Sequence, residues 1–157
     1  MNSKMATSKK ILILHPHFTL AGGAGNFVLE VGSRLFAKGY EITVCTIRCD
    51  PELIKNYKDS IQFIDIGGAL SSSFRHWLTL PIFLFKLFRT CDRLSPDLIF
   101  AQVFPSNWWG FIYKALRPKT KLLWMCQEPS AFIHSKTWIA AITDPAMNFV
   151  RRHIVII

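Results

Sequence analysis

Lys9-Lys10-Ile11-Leu12-Ile13-Leu14-His15-Pro16-His17-Phe18-Thr19-Leu20-Ala21-Gly22-Gly23-Ala24-Gly25-Asn26-Phe27-Val28-Leu29-Glu30 decides the fold class. A short apolar run leads into a loop that contains Gly22, Gly23 and Gly25, and a helical pattern opens at about Ala24. A strand, a glycine turn and a helix start in this order form the opening of an α/β nucleotide-binding unit. Glycines let a ligand approach the backbone. The free N–H groups and the positive dipole end of the helix favour an anion such as a phosphate. The spacing is neither G-x-G-x-x-G nor a P-loop, since no Gly-Lys-Ser/Thr follows. A turn that merely needs small residues is the alternative.

Outward from this unit, apolar runs alternate with helical patterns. Phe27, Val31 and Leu35 lie at i, i+4 and i+8 of a helix over about 24–38, and Gly39 stands where a helix-ending glycine belongs. Glu41–Thr46 reads as the second strand. Asp50-Pro51 reads as the cap and first position of a short helix. Ile61–Ile66 reads as the third strand, closed by Gly67-Gly68, and a long helix follows over Phe74–Leu94. Ser95-Pro96-Asp97 breaks it, Leu98–Gln102 is the fourth strand, and Pro105-Ser106 opens a helix through Leu116. Lys121–Cys126 is the fifth strand, a helix is expected over 145–152, and the β-branched run His153–Ile157 resembles the start of a core strand. This alternation predicts an α/β domain over 10–157, with a parallel sheet and helices on both faces. Residues 1–9 are expected to be a tail. A chain that stops on such a run is expected to be truncated before a further domain.

Composition narrows the partners. The chain has 157 residues, half of them hydrophobic, and a formal net charge of +9. The length suits one ordinary domain, and the charge suits an anionic partner. Cys45, Cys49, Cys91 and Cys126 form no CxxC pair, which suits reduced thiols in a cytoplasmic setting, and no secretory signal stands out.

In a parallel sheet ligands sit at the carboxyl ends of the strands. The candidate loops are therefore His15–Gly25, Thr46–Asp50, Gln102–Asn107 and Cys126–Ser135. In the last of them Glu128, held by Pro129, is placed to bind a hydroxyl or act as a base; capping a turn is the alternative. His15 and His17 form an H-x-H pair at the end of the first strand. They are read as polar lining of the cleft rather than as metal ligands, because no third ligand is near.

These loops together carry a resemblance. Ala21-Gly22-Gly23-Ala24, Leu35-Phe36-Ala37-Lys38-Gly39-Tyr40-Glu41-Ile42-Thr43-Val44, Ser95-Pro96-Asp97-Leu98-Ile99 and Gln127-Glu128-Pro129 resemble motifs of the retaining glycosyltransferases of family four, in the mannosyltransferase-like form. The resemblance implies the Rossmann-like N-terminal half of a GT-B enzyme. That half binds a glycan or lipid-linked acceptor, while a second domain binds the nucleotide sugar, a co-substrate rather than a cofactor. Gly22 and Gly23 would approach the donor diphosphate; His15, His17, Gln127 and Glu128 would bind substrate. Gly25 stands where the family often has Glu or Ser, and Gln127 where it often has His. Glutamine only hydrogen-bonds, so substrate binding rather than acid–base chemistry is expected there.

In the helix Phe74–Leu94, Arg75, Lys86, Arg89 and Arg93 fall within about 60° of one another on the wheel. Trp77, Leu80, Phe83, Leu84, Leu87 and Phe88 occupy the other face. The basic stripe suits an anionic membrane surface, met peripherally from the cytoplasm. An ordinary amphipathic helix packed on the sheet is the alternative for most of these residues. Trp108 and Trp109 lie in an apolar helix and are read as core or interface rather than as a nucleic-acid platform. A non-enzymatic, truncated module that binds an anionic surface or a protein partner is the alternative function.

Overall fold

The computed structural model describes residues 8–19, 22–68 and 74–125, with the backbone alone over 74–79. Strand β1 (Lys10–Leu14) is a run of aliphatic residues and is buried from Ile11 onward. β2 (His17–Phe18) follows it after Pro16. Helix α1 (Gly23–Ala37) starts one residue earlier than its sequence pattern predicts. It ends at Gly39, whose φ of 86° is the left-handed conformation that a side chain resists. β3 (Glu41–Thr46) and β4 (Arg48–Cys49) come next. Asp50 then caps α2 (Pro51–Ile54), its carboxylate accepting the Glu52 N–H at 3.0 Å.

β5 (Gln62–Asp65) is two residues shorter than expected, because its ladder covers only Thr43–Thr46 of β3. α3 (Phe74–Leu94), β6 (Leu98–Ala101), α4 (Ser106–Leu116) and β7 (Lys121–Trp124) complete the described elements. Gln102 lies just past the β6 ladder, although its N–H still donates to Leu14 O at 3.2 Å. Cys126, the expected helix over 145–152 and the run 153–157 lie outside the described residues.

The main sheet has the order β5-β3-β1-β6-β7, and every pairing is parallel. α1 and α2 pack on one face, around Ile11, Ile13, Val28, Leu29, Ile42 and Ile54. α3 and α4 pack on the other, around Leu12, Leu14, Leu87, Cys91, Ile99 and Trp109. The side-chain alternation of β1 feeds the two cores in turn. The architecture is Rossmann-like α/β, as the alternation of elements predicts. The chain runs outward from β1 to β3 and β5, then returns to β6 on the other side of β1. The topological switch point thus lies between β1 and β6, and the crevice expected at such a point opens beyond Leu14 and Ala101.

Candidate functional site

Pro16 shapes the rim of this crevice. It offers no N–H to the ladder, so β1 stops before it. Its carbonyl, however, accepts the Ile47 N–H at 2.9 Å and is 3.1 Å from the buried Thr46 hydroxyl. The same hydroxyl is 3.2 Å from Arg48 O. Past this tie the chain resumes as a second, two-stranded parallel sheet, in which His17 pairs with Arg48 and Phe18 with Cys49. The Asp50 N–H donates to Phe18 O at 2.7 Å and closes the splint.

Sequence reasoning missed this small sheet, since two-residue strands carry no periodicity. It also left Arg48 unnoticed inside a loop it had marked. A cation two residues past the second strand was the available signal. His17 and Arg48 are exposed and adjacent at the rim.

The two histidines do not share an environment, although a continuous strand would turn both the same way. His15 is 4% exposed and its ring lies 4.5 Å from that of Phe18. Its Nδ1 has no hydrogen-bond partner. Burial, with the nearby His17 charge adding to it, lowers its pKa to about 4. His15 is therefore neutral at pH 7 and sits behind the rim, whereas His17 sits on it.

The glycine loop opens α1 without a side-chain cap and without an acidic residue in the first turn. Gly22 is extended, with φ −137°, and its carbonyl accepts the Asn26 N–H at 2.9 Å. The N–H groups before Asn26 are the ones a helix leaves unpaired within itself. A Cβ on Gly23 would meet nothing within 4 Å, and one on Gly25 would touch the Phe18 ring at 3.5 Å. Packing therefore imposes no glycine at position 23. Its open side faces no described side chain, in a field made positive by the helix end and Arg48.

Gln102, one residue past β6, is fully buried, and the peptide bond between Phe104 and Pro105 is cis. Ser106, also fully buried, donates its hydroxyl to Val103 O at 2.7 Å. Gln127 and Glu128 lie outside the described residues, two and three positions beyond Met125. Lys86, Arg89 and Arg93 are exposed on α3; the Arg75 side chain lies outside the described residues. The thiols of Cys45 and Cys91 are buried, and burial pushes Cys45 up to about 12, so these thiols are protonated at neutral pH. Among the described residues no three metal-ligating side chains come together, and no helix is long and apolar enough to cross a membrane.

Residues 21–156 match Glycosyltransferase Family 4. The chain belongs to that family. Its fold is shared with a glycosyltransferase from Rickettsia africae, at TM-score 0.54 and 17% identity, over 87% of this chain and 35% of that one. It is shared equally with CalG4, the calicheamicin glycosyltransferase, at TM-score 0.50 and 17% identity, again over 87% and 35%. The chain thus spans about a third of the length of these solved glycosyltransferases. No curated protein sequence matches it. What the family establishes here is a glycosyltransferase-like domain.

Proposed function

We propose that this domain is the N-terminal, acceptor-binding half of a hexosyltransferase of the mannosyltransferase-like kind. It would work with a second domain that holds the nucleotide sugar. The observation that carries the reading is the rim itself: an uncapped helix start with an open glycine face, beside the exposed Arg48 and His17 side chains, at the switch point of a family-four sheet.

In this reading Gly22 and Gly23 leave room for the donor diphosphate. His17, Gln127 and Glu128 hold acceptor hydroxyls, and neutral His15 supports Phe18 and the rim from behind. A glycan or lipid-linked acceptor suits the basic side of α3, which would rest on the anionic cytoplasmic surface of a membrane.

The test is acceptor binding by the 157-residue chain, measured by titration calorimetry with a panel of oligosaccharides. Glu128→Ala should weaken binding roughly ten- to a hundredfold, the loss of one charged hydrogen-bond partner of about 1.5–3 kcal/mol. Unchanged binding with a large fall in melting temperature would make Glu128 a structural residue and remove it from the site.

A further inference from the structure

Three strands leave the sheet beside one threonine. Thr46, the last residue of β3, is fully buried. Its hydroxyl is 3.1 Å from Pro16 O, in the connection after β1, and 3.2 Å from Arg48 O, in the connection after β3. Its carbonyl accepts the Ile66 N–H at 2.9 Å, where the chain leaves β5. A buried hydroxyl needs one partner. Thr43 in the same strand meets that need with the Gln62 side chain at 3.2 Å. Thr46 reaches two partners, and both are backbone carbonyls of the connections that form the rim.

The place of this hydroxyl matters because the sheet is interrupted there. Pro16 has no N–H to give, so the pairing of β1 with β3 ends at Leu14 and Cys45 and starts afresh at His17 and Arg48. Two donors meet Pro16 O at this junction, the Ile47 N–H at 2.9 Å and the Thr46 hydroxyl. The same hydroxyl lies against the carbonyl of Arg48, whose side chain is exposed at the rim and pairs with no acid among the described residues. Phe18, next to His17 in β2, lies 3.5 Å from where a Cβ on Gly25 would stand, so the placement of β2 reaches the first turn of α1.

We propose that Thr46 is the positioning residue of the rim: its hydroxyl, shared between Pro16 O and Arg48 O, fixes His17 and Arg48 relative to the start of α1 and so sets how the rim receives a phosphate-bearing substrate. The proposal rests on the reading of the rim as the substrate site. Thr46 acts only through its neighbours, because its own side chain is out of reach of any ligand.

The test compares the 157-residue chain with Thr46→Val, which keeps the branched shape, and Thr46→Ser, which keeps the hydroxyl. Inorganic pyrophosphate is titrated well below the melting temperature and followed by NMR at the Gly23 and Arg48 amides. Wild type and the serine variant should bind alike. The valine variant should bind about tenfold more weakly, the worth of one hydrogen bond, and its His17 and Arg48 amides should move from their wild-type positions while those of Ile11–Ile13 do not. A valine variant that melts lower yet binds pyrophosphate as wild type does would make Thr46 an ordinary buried threonine and overturn the proposal. A serine variant as weak as the valine one would also overturn it, since the methyl group would then be what counts. The hydroxyl proton of the wild type decides the tie even if the valine variant does not fold: it should exchange slowly enough to show its own resonance, and a signal merged with water would overturn the tie. No pyrophosphate-dependent shift at Gly23 or Arg48 in the wild type would instead overturn the reading of the rim as a phosphate site, and the positioning role with it.

Discussion

The two ends of the same sheet treat their polar groups differently. At the amino end they satisfy one another. The Asp92 carboxylate accepts the Tyr113 hydroxyl at 2.8 Å and two Arg117 nitrogens at 2.9 and 3.1 Å, and these bonds hold it below the usual carboxylate range. Asp97 accepts the Lys10 N–H, and Lys114 reaches the carbonyls of Pro118 and Thr120. At the carboxyl end α1 starts without a side-chain cap, His15 Nδ1 is buried without a partner, and His17 and Arg48 stand together without an acid paired to them among the described residues. A recess of about 600 Å³ also exists at the amino end, lined by Lys9, Asp92, Asp97, Tyr113 and Lys121. Its carboxylates are already engaged. Concavity alone is therefore a poorer guide than unspent hydrogen-bonding capacity, and the candidate site belongs at the carboxyl end.

The sharpest break of this contrast is at Gly23. In a two-domain form that turns over a nucleotide sugar, Gly23→Val should reduce donor use at least about a hundredfold, through the blocked approach to the helix start. Gly23→Ala should do the opposite to stability, raising it by about 0.5 kcal/mol, because the position is helical and its Cβ meets nothing. If steady-state kinetics of the valine variant matched wild type, position 23 would be a plain helix start and the carboxyl end would lose its main claim.

His15 tests the same end through stability. Its pKa is about 4 in the folded chain against an ordinary 6.5. The unfolded chain therefore binds the proton more readily, and stability falls as pH drops through 6.5, levelling off below about 4. The loss should reach about 3 kcal/mol. Urea unfolding of wild type and His15→Gln across this range would measure it as the difference between the two curves. Parallel curves would mean that His15 is solvated and that the rim is not built on a neutral ring.

The smallest effect is expected at the amino end. Asp92→Ala removes the acceptor of the buried Tyr113 hydroxyl and should cost about 1–2 kcal/mol of stability. Transfer activity in the two-domain form should be unchanged once folding is matched. A specific loss of activity would show that the amino end takes part in the reaction, and the contrast between the ends would fail.

The parts of the fold that repeat were legible in the sequence. β3 and α3 have the bounds their patterns predict, because an apolar run and a long amphipathic stretch carry many concordant signals. The inward aromatic face of α3 was legible too: Leu87 is buried, and Phe83, Leu84 and Phe88 pack beside it. Ile82 and Phe85 share the wheel angle of Lys86, Arg89 and Arg93, so their exposure follows from the same periodicity, although their apolar character alone would place them in the core. Trp108 and Trp109 were read together, yet a 100° turn buries Trp109 and exposes Trp108. At the site the glycine loop was visible, but the separation of His15 from His17 was not. It follows from Pro16 breaking one ladder while its carbonyl starts a tie to Thr46 and Ile47, a relation between distant segments that local spacing does not encode.

The splint of β2 on β4 has a consequence for how this rim can change. The glycine loop leaves directly from Phe18, and Phe18 is clamped by the Asp50 N–H and by ring contacts with His15 and Phe63. The connection after β3 therefore acts as a ruler for the connection after β1. One residue inserted between Thr46 and Asp50 would shift the take-off point of a loop nearly thirty positions upstream. Loops on such a sheet are usually free to vary in length one at a time. Here two of them are geared together, and any change of length through residues 46–50 would also move the take-off point of the chain that leads to the start of α1.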